Sequence, residues 1–175
     1  LLRGEHTGGM ASCSDGVRGL FSGGWEQTAI EHVTLATTSN TGSFGNLTHG
    51  NYEHAGCSNG VRGIFGGGRG GGDYWIEIDY VAISTLSDAA DFGDLTGRRG
   101  YVTACSDGTK GLFGGGFFHN NIGNLNEMQY INIDTLGNAT DFGDLSVGST
   151  GLSSCSDGTK GLFGGFTGPS NVIDY

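Results

Sequence analysis

The chain has 175 residues, enough for one domain or one ring of small repeated units with a reasonable core. Eighteen acidic against eight basic residues give a net charge of -10, which repels polyphosphate and removes nucleic acid from the expected partners. No apolar run reaches the roughly 18 residues of a membrane helix, so no membrane insertion is expected, and 37 glycines without a strict period of three fit neither collagen nor a featureless linker.

In chain order, residues 1–12, "LLRGEHTGGMAS", have no initiating methionine and no signal-peptide core, and they read as the end of a repeat unit. At Cys13 a phrase begins, "CSDGVRGLFSG", that returns as "CSNGVRGIFGG" from Cys57 and as "CSDGTKGLFGG" from both Cys105 and Cys155. The phrase predicts a β-hairpin: Asp-Gly or Asn-Gly supplies a tight turn, and a short apolar strand follows and stops at glycines. A loop comes next, then a strand-like segment around His32, Tyr80, Tyr130 or Tyr175, then "GSFGNL", "ADFGDL" or "TDFGDL" ending at Leu47, Leu95 and Leu145. Apolar residues flank His32, Tyr80 and Tyr130 on both strand faces, as at Ile78 and Val81, which places that strand between two sheets.

The spacing is uneven in one place only. From His32, Tyr80 and Tyr130 to the next leucine the step is always 15, and from that leucine to the next cysteine it is always 10. From each cysteine to its histidine or tyrosine the steps are 19, 23, 25 and 20, so length varies in the loop after the glycine pair. The units are then 13–56, 57–104 and 105–154, with partial units 1–12 and 155–175. Tandem units of about 45 residues with short, doubly buried strands predict an all-β, β-propeller-like repeat domain. The ends would either complete one shared blade of a four-unit ring or mark a window in a longer array, and the second is the reading adopted.

Leu-Phe-Gly-Gly, a variable loop and a tyrosine together resemble kelch-type propeller repeats over nearly the whole chain. Kelch repeats carry a tryptophan six residues after the tyrosine; this chain has Thr38, Leu86 and Leu136 there, and its recurrent aromatics, Phe44, Phe92 and Phe142, come twelve residues on. The fuller wording, "CSDGTKGLFGGG" with "NATDFGDL", resembles glycine-rich repeats of tail-fibre and other virion structural proteins of marine bacteriophages. That resemblance implies a virion or surface-appendage protein without identifying its ligand. The sequence offers no convergent acid, base or metal set, so a non-enzymatic module is expected, with a host surface glycan or another virion or surface protein as partner. A cytoplasmic kelch-like adaptor, or a lectin domain, is the alternative.

Other motifs yield to plainer readings. "DFG" at Asp91 and Asp141 repeats in register without a kinase lysine or catalytic loop, and "SDGTKGLF" has the wrong order for a sialidase aspartate box. "GGRGGGDYW" is a single copy and cannot build a stacked calcium site. "NLT" at Asn46 and "NAT" at Asn138 belong to the repeat itself. The five histidines, His6, His32, His49, His54 and His119, follow no metal-ligand spacing, so neither a metal nor a cofactor is expected. The cysteines, as equivalents in successive units, are expected to be four unpaired buried thiols, and Asp15, Asp107 and Asp157 to be turn residues. Loops of variable length gather on one propeller face and are free to carry recognition. The candidate ligand-binding residues are therefore Trp25, Arg69, Asp73, Tyr74, Trp75, Phe117, Phe118, His119, Asn120, Asn121 and Phe166. Oligomerisation is left open.

Overall fold

The computed structural model describes residues 8–118, 123–165 and 172–175. All regular structure among them is β-strand. The first unit forms β1 (Ala11–Ser14), β2 (Arg18–Ser22), β3 (Ala29–Thr34) and β4 (Gly42–Asn46). The second forms β5 (Ala55–Ser58), β6 (Arg62–Gly66), the short pair β7 (Arg69–Gly70) and β8 (Asp73–Tyr74), then β9 (Glu77–Ala82) and β10 (Ala90–Asp94). The third repeats this with β11 (Thr103–Ser106), β12 (Lys110–Gly114), β13 (Phe117–Phe118), β14 (Gly123–Asn124), β15 (Glu127–Asn132) and β16 (Thr140–Asp144). The fourth contributes β17 (Ser153–Ser156), β18 (Gly161–Gly164) and β19 (Ile173–Asp174).

Each unit is one antiparallel sheet, in the orders β1-β2-β3-β4, β5-β6-β9-β10, β11-β12-β15-β16 and β17-β18-β19. The first strands, β1, β5, β11 and β17, lie beside one another in turn, so the sheets are the blades of a four-blade β-propeller arrangement. Up-and-down strand order fixes which loops share a face. The β2–β3 connections and the linkers between blades lie on one face, and the Asp-Gly turns and β3–β4 connections lie on the other.

The Asp-Gly turns are built alike in all four units, and the two residues work differently. Only the glycines take the left-handed conformation, with φ of 85, 83, 88 and 88° at Gly16, Gly60, Gly108 and Gly158. The aspartate acts through its side chain: Asp15 Oδ1 accepts from Val17 N–H at 2.8 Å and Arg18 N–H at 2.5 Å, and Asn59, Asp107 and Asp157 do the same. Those bonds, from Lys110 and Thr109 for Asp107, hold the carboxyl below its usual range.

Packing is concentrated between blades. Three apolar clusters each join the trailing face of one blade to the leading face of the next: Leu20, Ile30, Phe44 and Leu47 meet Phe65, Val81 and Ile83. Ile64, Ile78, Phe92 and Leu95 meet Phe113, Ile131 and Ile133, and Leu112, Met128 and Leu145 meet Phe163. Where these blades come closest, a cysteine faces a glycine. A Cβ on Gly63, Gly111 or Gly161 would lie 2.7–2.8 Å from the Sγ of Cys13, Cys57 or Cys105 of the preceding blade, closer than such atoms tolerate. The cysteine and the second glycine of the repeated phrase are thus two halves of one joint.

All four cysteines are free. Burial pushes the Cys13 thiol up to about 12 and Cys105 to about 11, and drives Cys57 upward as well, so thiolate is scarce at neutral pH. Cys155, at the end of the series, is exposed. In the native protein an aromatic disulfide reagent will therefore titrate one thiol rapidly, and unfolding in denaturant without reductant will raise the count to four. Rapid reaction of three or four thiols in the native state would contradict the joint.

Candidate binding face

The linkers and β2–β3 connections meet around a pair of left-handed glycines at the end of each second strand. Gly24, Gly68 and Gly116 have φ of 100, 95 and 107°, which turns their N–H groups toward the linkers. Gly24 donates to Asn51 O at 2.9 Å, Gly68 to Arg99 O at 2.8 Å and Gly116 to Ser149 O at 2.9 Å. Two of those linker residues reach forward as well. Asn51 Nδ2 donates to Gly67 O at 2.8 Å, and Arg99 Nη1 donates to Gly115 O and Glu127 O, both at 3.3 Å. Each therefore clasps two adjacent blades. Arg99 is fully buried; burial lowers its pKa, and the Glu127 carboxylate, which it contacts through Nη2, compensates.

On this frame sits a connected set of aromatic and charged side chains. Trp25 stacks on Tyr52 with centroids 5.3 Å apart and planes at 28°. The Arg69 guanidinium lies 4.7 Å from the Tyr52 ring centre and 5.8 Å from those of Tyr74 and Tyr101. Arg69 Nε is 3.1 Å from Glu53 Oε2, and Nη1 donates to Tyr74 OH at 3.4 Å. Beyond it, Tyr74 meets Phe117 and Phe118 at 6.1 Å each. Burial raises the Glu53 pKa, against the lowering effects of a Tyr101 hydrogen bond and the Arg69 charge. Tyr101 is raised by burial and by the same bond to Glu53.

The backbone under this set is strained. Among the described residues, the non-glycine positions with positive φ are Trp25, Glu26, Glu53 and Tyr101, at 41, 63, 59 and 56°. All four lie on this face. Such a conformation costs about 1–2 kcal/mol per residue, and the repeat offers a cheaper solution: the position four residues before each cysteine is Gly9, Glu53, Tyr101 and Gly151, with φ of 77, 59, 56 and 65°. Two units keep glycine there and two carry a larger side chain in spite of the cost.

Seven of the expected residues are described, and all lie on this face. Trp25, Arg69, Tyr74, Phe117 and Phe118 belong to the connected set. Asp73 stands at its rim, paired with Arg98 at 3.0 Å. Trp75 turns its ring onto His49, centroids 4.8 Å apart, with its indole nitrogen buried. His119, Asn120, Asn121 and Phe166 lie outside the described residues. Sequence reasoning missed Tyr52, Glu53 and Tyr101 because they sit in the constant linkers; the substitution of glycine at register in two units was the available signal.

Ser22 and His54 present the pairing of a nucleophile with a base, Oγ to Nε2 at 2.9 Å. Both are buried, and His54 Nδ1 has no hydrogen-bond partner that would orient the ring. Burial, with His49 nearby, pushes the His54 pKa down to about 3, so the ring is a weak base sealed in the core. No group of three or more His, Cys, Asp or Glu side chains among the described residues is placed to hold a metal ion.

With this geometry in hand, comparison places the fold and nothing narrower. The solved structure of YjhT aligns with a TM-score of 0.77 at 10% identity, over 90% of this chain and 56% of that one. The chain thus spans little more than half the length of that neighbour. No protein-family profile and no curated protein sequence matches it.

The buried histidine makes stability depend on pH. Its folded pKa is about 3 against an ordinary value of 6.5, so below about pH 6.5 the unfolded chain binds the proton that the folded chain refuses, at up to about 1.4 kcal/mol per pH unit. The raised carboxyls of Glu53 and Asp79 act the other way, at lower pH. Thermal melts from pH 7.5 to 5.5 will show a falling midpoint in the wild type and a flatter profile in His54→Gln. Parallel profiles would show that His54 charges without cost.

Proposed function

We propose that the chain is a non-enzymatic adhesive module of a phage virion or similar surface appendage, binding a host-surface glycan through the face built by the β2–β3 connections and the linkers. One observation carries the reading: strained non-glycine residues gather on that face, where they hold half-exposed aromatics around Arg69. Trp25 is 49% exposed and Tyr101 37%, so both offer ring surface for stacking on sugars while Tyr52 and Arg69 hold them from beneath. The resemblance of the repeats to kelch propellers and to phage fibre proteins supports the same reading, and another virion protein would engage the same rings.

A printed glycan array read with the wild type, Trp25→Ala and Tyr101→Gly tests it. The expected result is a wild-type signal reduced about tenfold or more by each substitution, equivalent to about 1.4 kcal/mol, with thermal midpoints within a few degrees of wild type. Tyr101→Gly suits the local φ of 56°, so its loss of binding will not stem from unfolding. A glycan signal untouched by both substitutions would move recognition elsewhere.

A further inference from the structure

Among the described residues, the candidate face carries three arginines, and each is matched to a carboxylate. Arg18, Arg62, Lys110 and Lys160 follow the Asp-Gly turns and belong to the opposite face. Arg99 is buried against Glu127. The other two reach solvent, with side chains 31% exposed for Arg69 and 40% for Arg98, so these are the cations a ligand can touch. Glu53 stands 3.1 Å from Arg69 and Asp73 stands 3.0 Å from Arg98. Glu53 takes that place in a strained conformation, φ 59°, at the register position where Gly9 and Gly151 stand in other units. Glu26, next to Trp25, brings one carboxylate more and accepts from Gly71 N–H at 2.9 Å. The positive charge beside the exposed rings is therefore cancelled locally, in a chain whose net charge is -10.

We infer that Glu53 and Asp73 set the charge class of the ligand: by masking Arg69 and Arg98 they make the face select uncharged sugars and turn away carboxylated or sulfated ones. The inference rests on the glycan-binding reading above and narrows it. An anionic sugar is held best by an unmatched guanidinium that meets it with parallel N–H donors. Here a carboxylate stands beside each exposed guanidinium and would lie against the sugar's own charge, and such a like-charge contact rejects a partner. The net charge of -10 adds repulsion at longer range. A neutral sugar meets neither obstacle. Its C–H groups stack on the exposed rings of Trp25 and Tyr101. Its hydroxyls both donate and accept, which suits a guanidinium and a carboxylate placed side by side. Affinity then comes from ring contact and short hydrogen bonds, neither of which salt screens strongly.

An array printed with neutral oligosaccharides beside their sialylated, uronate-bearing and sulfated counterparts tests the inference, read with the wild type, Trp25→Ala, Glu53→Gln and Asp73→Asn. The wild type is expected to favour the neutral set by about tenfold or more. Trp25→Ala should remove that signal, and raising the salt should change it by less than about twofold. Glu53→Gln keeps the shape of the side chain and removes its charge, so the ratio of acidic to neutral signal is expected to rise by about tenfold. Asp73→Asn, at a side chain 59% exposed, is expected to move the ratio in the same direction. The ratio is internal to each variant and independent of its overall affinity. Circular dichroism verifies folding; should Glu53→Gln fail there, Asp73→Asn carries the comparison. A wild type that binds acidic glycans as well as neutral ones, through Trp25, would overturn the inference and leave the adhesive reading standing, whereas a wild type that binds no glycan would remove both. A ratio unmoved by the folded variants would show that the carboxylates only position the arginines, and would overturn the inference too.

Discussion

The fold depends on how closely one blade's backbone can approach the next. At each formed joint a cysteine sulfur rests where a side chain on the facing glycine would stand, with 2.7–2.8 Å between that Cβ position and Sγ. A Cβ there would force the sulfur, or the strand that carries it, to shift. Cysteine suits its half because it is small, apolar when protonated and tolerant of burial, and glycine suits the other because nothing else fits. The phrase that opens on this cysteine recurs because each blade must offer one half of the joint behind it and one half of the joint ahead. The Asp-Gly turn between the two halves fixes their separation along the chain.

Rigid joints make the strained backbone of the candidate face possible. Because the linkers are clasped on both sides, by Asn51 and Arg99 bridging successive blades, a residue such as Glu53 or Tyr101 can be held in a left-handed conformation that an unclasped loop would relax. The strain is local and the support is distributed over the neighbouring blades. The half-buried aromatics around Arg69 are preorganised in the same way, their positions set by Tyr52 below and by the ion pair with Glu53, which reduces what binding must order.

Much of this architecture was legible in the sequence because tandem repetition amplifies weak local signals. The turn at Asp15, the strand at Gly19 to Phe21 and the doubly apolar strand around Tyr80 each recur, and four copies leave little choice of period. Constant steps separated scaffold from loop, and the variable loops do lie on one face with Trp25, Arg69 and Tyr74. What the sequence concealed depends on long-range geometry. Nothing local shows that Arg99 is fully buried, or that Cys13 faces a glycine fifty residues away. Tyr52, Glu53 and Tyr101 were passed over because they occupy a segment of fixed length, and backbone strain is not written in residue type. The repeat also implied equivalence where the structure has none: Phe44 and Phe92 are buried, whereas Phe142 is exposed, because no strand among the described residues lies beyond β19 to cover it.

A double-mutant cycle on one joint tests the central claim most directly. Gly111→Ala alone is predicted to lower unfolding stability by about 1–3 kcal/mol through overpacking, since its Cβ would stand 2.8 Å from Cys57 Sγ. Combined with Cys57→Ala, which removes that sulfur, the loss should fall short of the sum of the single losses by about 1 kcal/mol or more. Additive losses would mean that Cys57 and Gly111 do not oppose one another, and the account of the joint would be wrong.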